Sequence, residues 1–386
     1  MEDAMTWKRD LALFVSTAVL LMGIAGCASV KKEVDIVWPL PPDEPRIKYV
    51  EGLRSEKDLL KANGIGDAIF GADASGSLIR PYGCATDAEG RIYATDVGRV
   101  FVFDQKNKKL DFIGDDASTG KLAVPLGIAV SHDGKVYVGD SMRKRVFVYD
   151  SKWNLLTAFG KTGELDGPSG VAIDEKKGRL YVIDTKKHKL LVYALANGNL
   201  LKTIGGRGDE PGKFNYPTNI LVDREGNLYV TDTGNFRVQV LDPDGKPIKN
   251  IGSLGDKPGN FSRPKGIALD SEDNLYVVDT AFNNIQVFNK KGDLLIFVGE
   301  GGFAPGRFNS PSGICIDDED RIIVADGMNG RLQVLQYMGE KWKKKHPDEV
   351  KWTVPKTDAA KTDATKADAS KTVGTKSETA KPTEIK

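Results

Sequence analysis

The sequence predicts an all-β ring of repeated four-stranded sheets. Three observations carry this. One motif is written six times, with prolines Pro81, Pro125, Pro168, Pro217, Pro264 and Pro311 spaced 43 to 49 residues apart. An Asp follows each proline by 15 or 16 residues, at Asp96, Asp140, Asp184, Asp232, Asp279 and Asp326. Finally, no stretch keeps a 3.6-residue apolar period long enough for a helix. Four short strands repeated with a period in the forties fit a propeller blade. Such sheets cannot bury two apolar faces alone, so six stack radially and bury one another. The fold class is a six-bladed β-propeller.

The fourth repeat shows the unit. Ile220 to Asp223 reads as the first strand, closed by a turn at Glu225-Gly-Asn227, where Gly supplies a positive φ. Leu228 to Thr231 is the second strand, rich in aromatic and β-branched residues. Arg237 to Leu241 is the third, Pro243-Asp-Gly the next turn, and Pro247 to Ile251 the fourth. An apolar residue stands three before each proline (Leu78, Leu122, Leu165, Phe214, Phe261, Phe308) and a Gly two before that. These read as blade packing and turn geometry. The six Asp residues read as turn caps that accept backbone N–H bonds, one per blade.

The repeat resembles the NHL repeat. The resemblance rests on Pro-x-Gly-Ile-Ala-Val-Asp, then Gly-x-Leu-Tyr-Val-x-Asp-Thr, then Asn-x-Arg-Val-x-Val, and covers about residues 76 to 338. It implies a six-bladed propeller. Blade one departs, with only two residues between Asp96 and Arg99, so its turn must be tighter. Blade two has Ser131 where the other five carry Asp.

The chain has 386 residues, 42 Gly and a net charge of +1, which suits one large all-β domain. That balance leaves no global footprint for nucleic acid. Residues 1–26 read as a signal peptide, with Lys8 and Arg9 before the apolar run Leu11 to Ile24. Ile24-Ala-Gly-Cys27 resembles the bacterial lipobox, which implies cleavage before Cys27 and lipidation of its thiol. The expected location is the bacterial cell envelope, anchored by lipid to the outer membrane on its periplasmic or surface side. Residues 27–45 form a Pro-rich tether, and 46–340 the propeller. Arg46 to Leu53 alternates like a strand without a hairpin partner, so it is assigned as the outer strand of blade six, closing the ring. Tyr337 to Trp342 is the competing candidate. Residues 341–386 read as a basic, then low-complexity disordered tail, with Lys every five residues from Lys356.

Chemistry is sparse. The three Cys are Cys27, Cys84 and Cys315, and no haem-attachment motif is present. Cys84 and Cys315 lie on the innermost strands of blades one and six and point either toward each other across the closure or both away. Residues expected to line the channel are Tyr82, Ser169, Thr218, Asn219, Lys265 and Ser312. They lack the carboxylates and imidazoles of a metal site, so no metal, cofactor or catalytic residue is assigned. The expected function is a non-catalytic binding scaffold for a protein or anionic polymer of the envelope, monomeric and without a nucleic-acid partner. The alternative is a metal-dependent lyase or lactonase-like enzyme at the channel mouth. The expected binding face carries the turns between second and third strands, with Arg143, Lys144, Arg145, Lys186, Lys187 and His188 beside the aromatics Phe236 and Phe282.

Overall fold

Six antiparallel sheets follow the six repeats. A computed structural model describes residues 35–60, 76–115 and 120–349. The segment read as a signal peptide, Cys27 and the lysine-periodic stretch lie outside the described residues. Blade four consists of Pro217–Val222, Leu228–Asp232, Arg237–Leu241 and Pro247–Ile251. Its innermost strand begins three residues earlier than its apolar run suggested. The cause is the proline: Pro217 pairs with Asp232, and the ladder resumes only at Ile220 with Val230. This bulge recurs from blade two to blade six. It frees the two residues after each proline from the ladder and aims them at the channel or the next blade.

Burial explains the sequence pattern. Every residue of Leu228–Asp232 is buried, because both faces of the second strand are covered by neighbouring blades. In the outer strand Pro247–Ile251 only Ile251 is buried. Each core cluster joins two blades. Tyr181, Ile183 and Leu190 of blade three meet Phe214, Ile220 and Leu228 of blade four. The apolar residues before the prolines are all inside, with Phe214, Phe261 and Phe308 fully buried.

The ring closes as the sequence indicated. Ile47–Leu53 pairs with Arg331–Tyr337, running from Ile47 opposite Tyr337 to Leu53 opposite Leu332. The competing segment forms a short helix instead, Glu340–Lys345, whose Trp342 is buried. This corrects the reading of residues from 341 onward as wholly irregular. The segment expected to be only a tether is corrected too. Val37–Trp38 adds a fifth strand to blade six, pairing with Lys48 and Ile47. A proline-rich stretch can end a sheet this way because an edge strand leaves some N–H positions without a ladder partner.

At the closing seam Cys84 joins Ile92, Phe101, Ile323 and Leu332 in one cluster, with Cys315 packed against it. The two side chains do face each other. Both are free thiols. Cys84 donates to the Ile323 carbonyl at 3.3 Å. Burial pushes the Cys315 thiol well above its ordinary value, and contact with Cys84 adds to this.

Candidate functional site at the upper mouth of the channel

We call upper the face that carries the turns between second and third strands and the loops leading into each innermost strand. The repeated Asp residues build it. Asp232 accepts the Asn215 N–H at 2.6 Å, the side-chain amides of Asn235 and Gln239, and the Arg237 guanidinium at 2.9 Å. Asp326 repeats this with Asn309, Asn329, Gln333 and Arg331. Asp279 instead takes four backbone N–H groups, from Ser262, Arg263, Ala281 and Phe282. Each carboxylate thus holds its own turn and also the loop that leads into its blade. All six are nearly or fully buried, so their role is structural. Blade one does so with a two-residue turn, Val97-Gly98, where Gly98 has φ +73° and Asp96 pairs with Arg99.

Hydroxyls stitch the blades to one another. Ser169 donates to the Thr218 carbonyl at 2.8 Å, and Ser312 to that of Tyr82 at 2.9 Å across the closure. Thr185, Thr233 and Thr280 donate to the next blade's proline carbonyl. Ser169 and Thr218 were expected to line the channel. They are 2% and 8% exposed; Ser169 is turned into a blade interface, and the Thr218 hydroxyl meets that of Thr233 in its own blade at 2.8 Å. Backbones approach so closely here that a Cβ on Gly127 would stand 1.9 Å from the Ser169 carbonyl oxygen. Asn219 replaces that glycine in blade four. Its Oδ1 is buried with no hydrogen-bond partner among the described residues, and it lines a lower cavity of about 340 Å³.

Tyr82, Lys265 and Ser312 do meet at the upper mouth. They line a cavity of about 400 Å³ with Arg80, Pro81, Val97, Val124, Arg263 and Met328. Lys265 Nζ stands 5.2 Å from the centre of the Tyr82 ring. Burial lowers the Lys265 pKa, and Arg263 and Arg80 lower it further. Burial also pushes the Tyr82 hydroxyl up to about 12. Among the described residues no three His, Cys, Asp or Glu side chains gather as a metal site would require.

The expected binding residues separate. Arg143 and Lys186 are exposed on the upper face. Lys144 is ion-paired with Asp166, and Lys187 Nζ is held on the carbonyls of Gly163 and Glu164. Arg145 is half-buried at the start of its strand. His188 is a correction. It is 8% exposed, its Nδ1 accepts the Tyr216 N–H at 3.0 Å, and its ring packs on Tyr216. Phe236 and Phe282 are half-buried rather than free. Different apolar side chains are presented instead. Ile79, Val97, Val124, Met142, Tyr216, Leu254, Phe303 and Met328 are all exposed, and all belong to upper loops and turns. A turn pattern gives no sign of which of its residues is pushed outward, so the sequence did not single these out.

Comparison with known proteins agrees with this geometry. A family described as a 6-bladed β-propeller matches residues 126–205, and the NHL repeat matches 214–241 and 308–335. The chain carries NHL repeats within a six-bladed β-propeller. NHL repeat-containing protein 3 of Mus musculus is 30% identical over 107 residues, which is 25% of this chain and 30% of that protein. The matched stretch thus covers less than a third of the length of that relative. A Bacteroides thetaiotaomicron protein of unknown function has a similar structure, with TM-score 0.56 and 21% identity over 75% of each chain. Virginiamycin B lyase from Staphylococcus aureus has TM-score 0.52 and 15% identity, over 75% of this chain and 99% of that one. These two structural likenesses extend to the fold alone.

Proposed function

We propose that this propeller is a non-catalytic binding scaffold, lipid-anchored through Cys27 outside the cytoplasm of a bacterium, which receives its partner on the upper face. One observation carries the reading: the loops and turns of that face expose large apolar side chains that the lower first turns do not, and cations without an ion pair among the described residues line its channel mouth. Isolated apolar residues are normal on a protein surface, but a cluster rimmed by polar groups is a recurrent mark of binding. The partner expected is a protein or anionic polymer of the envelope, since export removes nucleic acid from reach.

The test uses paired variants and detergent-solubilised envelope. Met142→Ser with Phe303→Ser alters the upper face, and Glu225→Lys with Glu272→Lys the lower. Capture should fall with the first pair and survive the second, both proteins keeping the wild-type melting curve. The reverse pattern would place the partner on the wrong side. Cys27→Ala should release the chain from membranes; unchanged fractionation removes the anchor from the reading.

A further inference from the structure

We propose that the upper mouth is a binding site for a small organic anion, a carboxylate or phosphate on an apolar or aromatic body, taken between Arg80, Arg263 and Lys265 against the Tyr82 ring. The proposal rests on the upper-face reading and gives it a ligand chemistry.

Three cations from blades one and five converge on one cavity. They outnumber the carboxylate in the lining, and none of the three is ion-paired among the described residues. Among the described residues the carboxylate lining the cavity is Asp96. Its two oxygens are committed to the N–H groups of Ile79, Arg80 and Val97, at 2.5, 2.8 and 2.6 Å. No acid enters among the influences on Lys265; only burial and the two arginines do, all disfavouring its charge. By contrast, the half-buried Arg91 and Arg321 are ion-paired, with Asp87 and Asp317. Arg80 and Arg263 are exposed and Lys265 is half-buried, so the like charges repel most at Lys265, and an anion placed among them offsets that cost while gaining charge-assisted hydrogen bonds.

The walls choose the kind of anion. Pro81, Val97, Val124, Leu126 and Met328 surround the cations, and Val97 and Met328 are more than half exposed. A bare inorganic ion would leave these groups in water. An organic body covers them, and a volume near 400 Å³ falls within the range of small-molecule sites. Ser312 lines the same mouth, its hydroxyl proton already given to the Tyr82 carbonyl. The charged or titratable groups facing the site are Arg80, Arg263, Lys265, Tyr82 and Asp96.

Pyridoxal 5′-phosphate tests this on the full chain without any partner. Its phosphate needs the arginines, and its aldehyde condenses with a neutral amine, losing water; borohydride then fixes the imine for peptide mapping. Lys265 should be labelled ahead of the other lysines. Pyridoxal lacking the phosphate should label it about tenfold less, a factor in keeping with one or two charge-assisted hydrogen bonds. Arg80→Gln with Arg263→Gln, checked by melting curve, should abolish that difference. Phenyl phosphate or benzoate should protect Lys265, and which protects better tells a phosphate from a carboxylate ligand. Equal labelling by the two aldehydes, or none at Lys265, overturns the site. Protection by inorganic phosphate equal to that by phenyl phosphate overturns the organic body. Because labelling reads the cavity alone, partner capture can fail while the site stands, and the reverse.

Discussion

On the lower face each first turn is closed by its own side chain. Asp223 takes the N–H groups of Glu225 and Asn227, Asp270 those of Glu272 and Asn274, and Asp317 those of Glu319 and Arg321. In blade two Ser131 does the same for Lys135. None of the large exposed apolar side chains among the described residues belongs to these turns. On the upper face the repeated Asp is buried, and what its loops leave outside includes large apolar and cationic side chains beside acids such as Asp209, Glu210, Asp256 and Glu300. Both ends therefore use one short polar side chain per blade for geometry, Asp at every upper position and Ser131 in place of Asp on the lower face of blade two. The difference is that the lower turns satisfy themselves locally, whereas the upper Asp binds two segments together and releases the side chains between them. A ring with one self-contained end and one unsatisfied end has a direction, and recognition belongs to the unsatisfied end.

The contrast can be broken by mutation. The largest effect should come from Asp232→Ala, which strands the Arg237 guanidinium and three amide groups. Loss of one partner in such a buried pair costs about 3–5 kcal/mol, readable as a lower denaturant midpoint. Gly127→Ala comes next, since its Cβ would meet a neighbouring blade's backbone; a cost of about 1–3 kcal/mol is expected, with the blade two to three seam opening first in hydrogen exchange. Asp223→Ala should cost about 1 kcal/mol, because its bonds lie within one turn, and should leave partner capture unchanged.

Lys265→Met should act with the opposite sign. The folded-state pKa of Lys265 lies below the ordinary lysine value of 10.5, so its charge opposes folding at neutral pH. That cost is fully present below the folded pKa and is lifted as pH rises through the window up to 10.5. The variant should gain on the order of 0.5 kcal/mol at pH 7, and the gain should shrink in that window. A site kept at the expense of stability would behave so; a loss at pH 7 would mean that Lys265 is structural. The smallest effect concerns the seam: a reducing agent should leave the melting temperature unchanged, because Cys84 and Cys315 carry free thiols. A drop on reduction would reveal a disulfide.

By itself the sequence determined the blade count, the strands, the turns and the closing strand Ile47–Leu53, because these follow from period, alternation and a strand left without a hairpin partner. The caps were legible for the same reason: an Asp at the end of a second strand meets its partners through local geometry. Tertiary structure decided the rest. Ser169 and Thr218 lie on innermost strands as expected, yet at the bulge Ser169 turns into the seam and Thr218 is buried against Thr233. Local charge counting made His188 and Lys187 available, but Tyr216 and the Gly163 and Glu164 carbonyls had already claimed them. The cavity at the mouth joins Arg80 of the first blade to Arg263 and Lys265 of the fifth. No spacing along the chain announces that meeting, since it exists only when the ring shuts and brings the innermost strands around one axis. Repeats encode their own folding locally, whereas a channel mouth is assembled from one or two residues per blade whose direction depends on neighbours far away in the chain.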